Sequence, residues 1–226
     1  MADEYTVWIG LGGAVFGGFV TWLALGRRID ADERLALKKF EFDKELAQRK
    51  FDLDRAQIVH KRRFEFAEAL LADANNFRDL MRYVRNGASF GNEGATRQPE
   101  SNEPDDVKRA KDTYFVPIER LRKQADFISG FLVKRHAGVA HFGHDVAKAF
   151  DLFDDAINSV QVAAGMLIDM VGERDNDPQL LKQLRQDVWF GHSAARKEAD
   201  QVNKKIEEGV LLIENLCRPV LEWNGE

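Results

Sequence analysis

The sequence predicts an all-α protein: one N-terminal transmembrane helix, a long charged stalk helix and an antiparallel four-helix-type bundle. Three observations predict it. Residues 5–25 carry no charge. Neither proline nor glycine occurs from Asp30 to Arg85, so nothing interrupts a long helix there. Beyond Asp105 apolar residues recur at helical spacing, and no stretch alternates with period two for long enough to require a strand. The expected parts are 1–28 (anchor), 29–57 (helical stalk or coiled coil) and 58–226 (cytoplasmic bundle), with a mobile linker over 86–104.

The anchor stands out by its charge distribution. Charged residues make up 31% of the 226-residue chain, yet the first 26 residues hold only Asp3 and Glu4. Tyr5 to Leu25 is long enough as a helix to cover the roughly 30 Å hydrocarbon core. Tyr5, Trp8 and Trp22 lie toward its ends, where amphipathic rings prefer the interface. Arg27 and Arg28 follow at once. The positive-inside rule then places the N-terminus outside and the body in the cytoplasm, at the plasma (inner) membrane. A cleaved signal peptide would instead need a basic leader and a shorter apolar core.

Thr6, Gly10, Gly13, Ala14, Gly17, Gly18, Thr21 and Ala24 recur at three- and four-residue steps and form one small-residue stripe. Such a stripe lets helix backbones approach closely in lipid. The expected membrane self-association face is Gly10, Gly13, Ala14, Gly17, Gly18 and Thr21.

The stalk begins at Asp30, with Asp32 and Glu33 in the first turn, where the helix dipole favours negative charge. One apolar stripe runs through Leu35, Phe42, Leu46 and Leu53, and on through Phe64, Ala67, Leu71, Ala74 and Met81. A second runs through Leu37, Phe40, Phe51 and Ile58. Lys38 to Asp43 (KKFEFD) is echoed eleven residues later by Arg49 to Asp54 (RKFDLD), a spacing that nearly restores helical phase. A looser echo, Arg62 to Phe66, does not keep that phase. A lone helix cannot hide Leu35, Phe40, Phe42, Leu46, Phe51 and Leu53 from water. These expected stalk contacts need either another copy of the stalk or later helices of the same chain. The basic cluster His60 to Arg63 reads as a solvated face balanced by Glu65 and Glu68.

Glycine, asparagine, serine and proline dominate residues 86–104, which marks a loop. Three further helices are expected. The first runs from Asp105 to about Arg135, kinked or interrupted at Pro117 and stopped at Ala137-Gly138. The second, Val139 to Val171, carries Val146, Phe150, Phe153, Ile157, Val160, Ala164 and Leu167 as a clean apolar stripe. The third starts at Asp177-Pro178, an N-cap followed by proline at the first helical position. A break is expected at Gly191, near Phe190 to Ser193, and an end at Pro219.

Candidate chemistry is sparse. His136, His141 and His144 cluster around one turn and are weak candidates for zinc or a similar ion. No histidine has a glutamate three residues before it, which argues against the di-iron arrangement of some bundles. Phosphate-loop, nucleophile-elbow and His-Glu-x-x-His patterns are missing from the sequence. The single Cys217 cannot build a disulfide framework and reads as an incidental thiol. Trp189, Phe190 and Trp223 read as core and C-terminal packing. A net charge of -5 speaks against nucleic acid as a partner.

The expected function is therefore non-enzymatic, with no cofactor. The chain would be a single-pass membrane protein that self-associates as a homo-oligomer in the lipid bilayer. It would present its bundle for binding a protein partner or for sensing. Two alternatives have the same architecture: a membrane-disrupting or pore-forming effector regulated by the bundle, and a bundle metalloenzyme built on the histidines.

Overall fold

A computed structural model describes the backbone of residues 3–89, 93–173, 177–191 and 200–222, with side chains from residue 32 onward. Six α-helices are the regular elements among these residues: α1 (Asp3–Val84), α2 (Asp105–Lys123), α3 (Ala125–Phe142), α4 (Asp145–Asp169), α5 (Pro178–Val188) and α6 (Gln201–Leu221). The all-α, bundle-like architecture matches the expectation. Contacts divide the chain into two units, Met1–His60 and Lys61–Glu226.

In the first unit every described side chain from Asp32 to Val59 is exposed. The apolar segment Tyr5–Leu25 and its glycine face lie outside the residues whose side chains are described. Among those that are described, no helix is long and apolar enough to cross a membrane.

The second unit has its core where the sequence repeats most regularly. Ala67, Leu70, Ala74, Phe77, Met81 and Val84 alternate three- and four-residue steps along the distal part of α1, and all six are fully buried. They meet Phe131 of α3, Phe150, Phe153, Ala156, Ile157 and Val160 of α4, and Val202, Ile206, Val210 and Ile213 of α6. Four phenylalanines fill the centre. The Phe77 ring lies 5.3 Å from that of Phe131 and 4.9 Å from that of Phe153, and the Phe131 ring lies 5.1 Å from that of Phe150. Tilted rings at these separations are favourable beyond their burial.

Helix α4 occupies the middle of this unit and packs on α2, α3, α5 and α6. Its buried set, from Val146 to Leu167, is wide enough to serve a second cluster. There Ala163, Ala164 and Leu167 meet Leu184 and Val188 of α5, with Tyr114 and Ile118 of α2 packed alongside.

Helix boundaries follow local chemistry in part. The Asp177 side chain accepts from the Gln179 N–H at 2.8 Å, with Pro178 next, as the sequence predicts. Asp200 caps α6 by accepting from the Asn203 N–H at 2.9 Å.

Three boundaries differ from expectation. The chain between Asp105 and Asp169 forms three helices, not two. Pro117 sits inside α2, and the break comes instead at Gln124. Gly138 does not stop a helix: it is buried within α3, where a Cβ would stand 3.2 Å from both Val146 methyls, so its role is close helix approach. The stop is Gly143, with φ of 82°. Pro219 lies inside α6, which continues to Leu221: it forfeits the one bond that its N–H would have made to the Asn215 carbonyl without ending the helix.

The α4–α6 contact is testable. A Cβ on Gly209 would stand 2.7 Å from a ring carbon of Phe153, which is itself fully buried. Gly209→Ala is expected to lower unfolding stability by about 1–3 kcal/mol through overpacking. Gly130→Ala in α3, with nothing within 4 Å, is expected to raise it by about 0.5–1 kcal/mol. Urea denaturation of both variants checks this; equal stabilities would contradict the described packing.

Candidate functional site

Two regions stand out, one in each unit. The first is the apolar surface of the stalk. Phe40, Phe42 and Phe51 are 68%, 62% and 63% exposed, and Leu35, Leu37, Leu46, Leu53, Ile58 and Val59 are exposed too. The six residues expected to make stalk contacts are thus all exposed. One ion pair braces this stretch along the helix, Arg49 with Glu45 at 3.9 Å, both well exposed. Such pairs add little stability. The helix therefore presents apolar rings to water with no local compensation.

The second region is a set of buried charges around the end of α1. Arg120 of α2 is 1% exposed. Its Nη1 donates to the carbonyls of Tyr83 at 2.9 Å and Asn86 at 2.7 Å, and its Nη2 donates to that of Ala88 at 2.7 Å. Glu93 completes the shell: its carboxylate accepts from Nη2 at 2.5 Å and from Nε at 3.2 Å. The Tyr83 ring lies 4.8 Å from the guanidinium carbon.

Arg85, equally buried, points the other way. It donates to the carbonyls of Gln186 (2.8 Å) and Asp187 (2.9 Å) at the end of α5, and pairs with Asp200 at 2.8 Å. Both guanidiniums thus sit at helix C-termini, where unpaired carbonyls and the dipole favour a cation. Desolvation pushes the nearby Asp187 carboxyl above its ordinary value.

A third cluster ties down the segment expected to be mobile. Arg97 pairs with Glu103 and with Asp112 at 2.9 Å; Lys111 pairs with Glu100 at 3.0 Å and with Glu103 at 3.1 Å. The Arg97 hydrogen bond, with help from Lys111, holds the Glu103 carboxyl below its ordinary value. Glu119 is held low as well, by Lys123 and by the Gly94 N–H, which donates to it at 2.7 Å. Composition reads 86–104 as loose because glycine, asparagine, serine and proline dominate it, whereas described residues within it are fastened by charges on α2. None of these buried ionic residues was legible as such, since charges on a helix ordinarily read as its solvated side.

The histidines do not converge. His136 and His144 are exposed, and the His141 ring packs 4.9 Å from that of Phe66. Gly143 separates α3 from α4 between His141 and His144, so the two do not lie on one helix. Among the described residues no group of three or more His, Cys, Asp or Glu could hold a metal ion. Cys217 is fully buried in the main core, and desolvation pushes its thiol up to about 11, which suits packing and not nucleophilic work. Trp189 is half-buried beside the second cluster, Phe190 is exposed over Arg85, and Trp223 lies outside the described residues.

Two open surface grooves accompany these clusters. One of about 320 Å³ lies between α2 and α5, lined by Thr113, Tyr114, Arg185 and Trp189. The other, about 560 Å³, is polar and lined by Ser159, Lys182, Asp187, Gln201 and Lys205 on α4, α5 and α6. No protein-family model, curated protein or solved structure matches this chain.

The buried charges predict two behaviours. Arg120→Ala takes the guanidinium away from Glu93 and from three carbonyls, and is expected to cost about 3–5 kcal/mol in urea unfolding. Arg120→Lys is expected to recover only part, because an ammonium cannot reproduce the planar fork. An Arg120→Ala variant as stable as the parent would dismiss the guanidinium as a keystone.

Glu103 and Glu119 carry pH dependence. Their folded pKa values lie below the unfolded ones, so their contribution is complete above the ordinary value of 4.5. It is lost as pH falls from there through the depressed folded values. A melting temperature followed downward from pH 6 should drop in that window, and Glu103→Gln should flatten the drop.

Proposed function

We propose that this chain is a non-enzymatic, single-pass membrane protein that self-associates and holds a cytoplasmic helical bundle ready for a protein partner. The observation that carries the reading is the run of exposed apolar side chains from Leu35 to Val59 on a regular helix. Isolated exposed apolar residues are ordinary, but nine within 25 residues of one helix form a surface that water disfavours and a neighbour would cover.

The sequence of Tyr5–Leu25 supports the anchor, and its glycine stripe supports close helix approach in lipid. The mechanism is positional. An anchor confines the chains to two dimensions, and self-association raises the effective concentration of the bundles they carry. The bundle offers a partner the aromatic groove of Tyr114 and Trp189 and the polar groove of Lys182 and Lys205.

Gentle extraction of the full chain into detergent, followed by native mass measurement, tests the proposal. The expected particle contains more than one 25.7 kDa chain. Gly13→Leu with Gly17→Leu is expected to weaken the association. A strictly monomeric parent would overturn self-association, and an undiminished mass in the double variant would remove the glycine face from it.

A further inference from the structure

The stalk surface repeats itself more closely than a generic amphipathic helix requires. Asp32–Phe42 and Asp43–Leu53 align as two eleven-residue units. Asp32 matches Asp43, Leu35 matches Leu46, Ala36 matches Ala47, Lys39 matches Lys50, and Phe40 matches Phe51. Eleven residues make about three turns, so each matched pair lies on one line along the helix.

At about 100° per residue, two apolar stripes result. Leu35, Phe42, Leu46 and Leu53 fall within about 20° of one line. Ala36, Phe40, Ala47, Phe51 and Ile58 centre on a second line about 130° away, and the exposed Leu37 and Val59 fall outside both. Between them on the shorter arc run Asp32, Lys39, Asp43, Lys50 and Asp54, alternating in sign, and every residue of the three rows is exposed.

A single neighbouring helix cannot cover both stripes without burying that charged row, which would be costly. Two neighbours can, one on each stripe. The chemistry of the surface indicates that they are copies of the same chain. Residues 32–59 carry seven acidic and seven basic side chains, so the stalk is neutral although the whole chain is at -5. A neutral, sign-alternating helix attracts no strongly charged partner and does not repel its own kind.

Side-chain size decides which stripe meets which. With parallel stalks at equal height, the first stripe of one copy places Leu35 level with Ala36 of the next, and Leu46 level with Ala47. Leu35 and Leu46 then meet alanines, while Phe42 and Leu53 come within two residues of Phe40 and Phe51. Packing the second stripe against itself would set Phe40 on Phe40 and Phe51 on Phe51, leaving gaps at the paired alanines.

We propose that each stalk packs head to tail against two further copies of itself, first stripe on second, building an assembly of at least three chains. This rests on the self-association reading and on its membrane anchor, which sets the stalks parallel and level.

Cysteine cross-linking of the full chain in its membrane tests it. Leu46 and Ala47 are sequence neighbours on different stripes, so their side chains diverge and do not bond within one helix. After mild oxidation with copper phenanthroline, a chain carrying both L46C and A47C is expected to give a ladder of dimer, trimer and larger species. L46C alone and A47C alone are expected to stay monomeric, and their equal mixture to give dimer only. The parent chain, whose buried Cys217 stays reduced, is the blank.

Dimerisation of L46C alone to the extent of the double variant would put the first stripe against itself. It would overturn the head-to-tail packing while leaving self-association intact. No cross-link in any variant, with a native mass above one chain, would also overturn it and move the association elsewhere. A monomeric native mass would remove this inference together with the reading beneath it.

Discussion

The guanidinium of Arg120 closes the end of the longest helix. The last turn of any α-helix leaves carbonyls without partners, and inside a protein these must be satisfied. Arg120 reaches them from α2, together with the loop carbonyls of Asn86 and Ala88, and is neutralised by Glu93. One side chain thereby sets where α1 stops, how the following segment leaves it, and where α2 lies against it. Arg85 repeats the device a turn away, joining the same helix end to the end of α5 and the start of α6. Removing either cation would take away the donor shared by several carbonyls and a carboxylate in the same place.

Around that junction the apolar core does the ordinary work. Helix α4 is buried on two sides and so can serve both clusters, with Phe150 and Phe153 in the larger and Leu167 in the smaller. The close approach of α6 at Gly209 and of α3 at Gly138 requires residues without side chains. These contacts make the second unit self-sufficient in buried apolar surface. The stalk is the opposite case. Its phenylalanines are as large as those of the core, but they are exposed. The contrast between a satisfied bundle and an unsatisfied stalk is the main physical reason to read the protein as one that works in company.

Periodicity was the reliable signal. The stripe from Val146 to Leu167 is buried where the sequence places it, and Ala67, Ala74 and Met81 are too. The Asp177-Pro178 start of α5 was legible because a side-chain cap and a fixed φ act within three residues. Helix ends were less legible. Gly138 and Gly143 both look like stops in one dimension, and only the proximity of Val146 makes the first a contact and the second a terminus. The histidines failed for a related reason: nearness in sequence did not carry across the break at Gly143.

By itself the sequence determined the helical class, the most regular core stripes and the apolar, charge-framed character of the stalk, because these depend on spacing along one helix. Only the tertiary structure decided that Arg85 and Arg120 are interior residues, that the paired Arg97 and Glu103 are half-buried, and that Leu70, Phe77 and Phe131 complete the centre of the core. A buried ion pair needs its partner, its carbonyls and its exclusion from water to be assembled from distant segments. No local pattern in the chain encodes that coincidence.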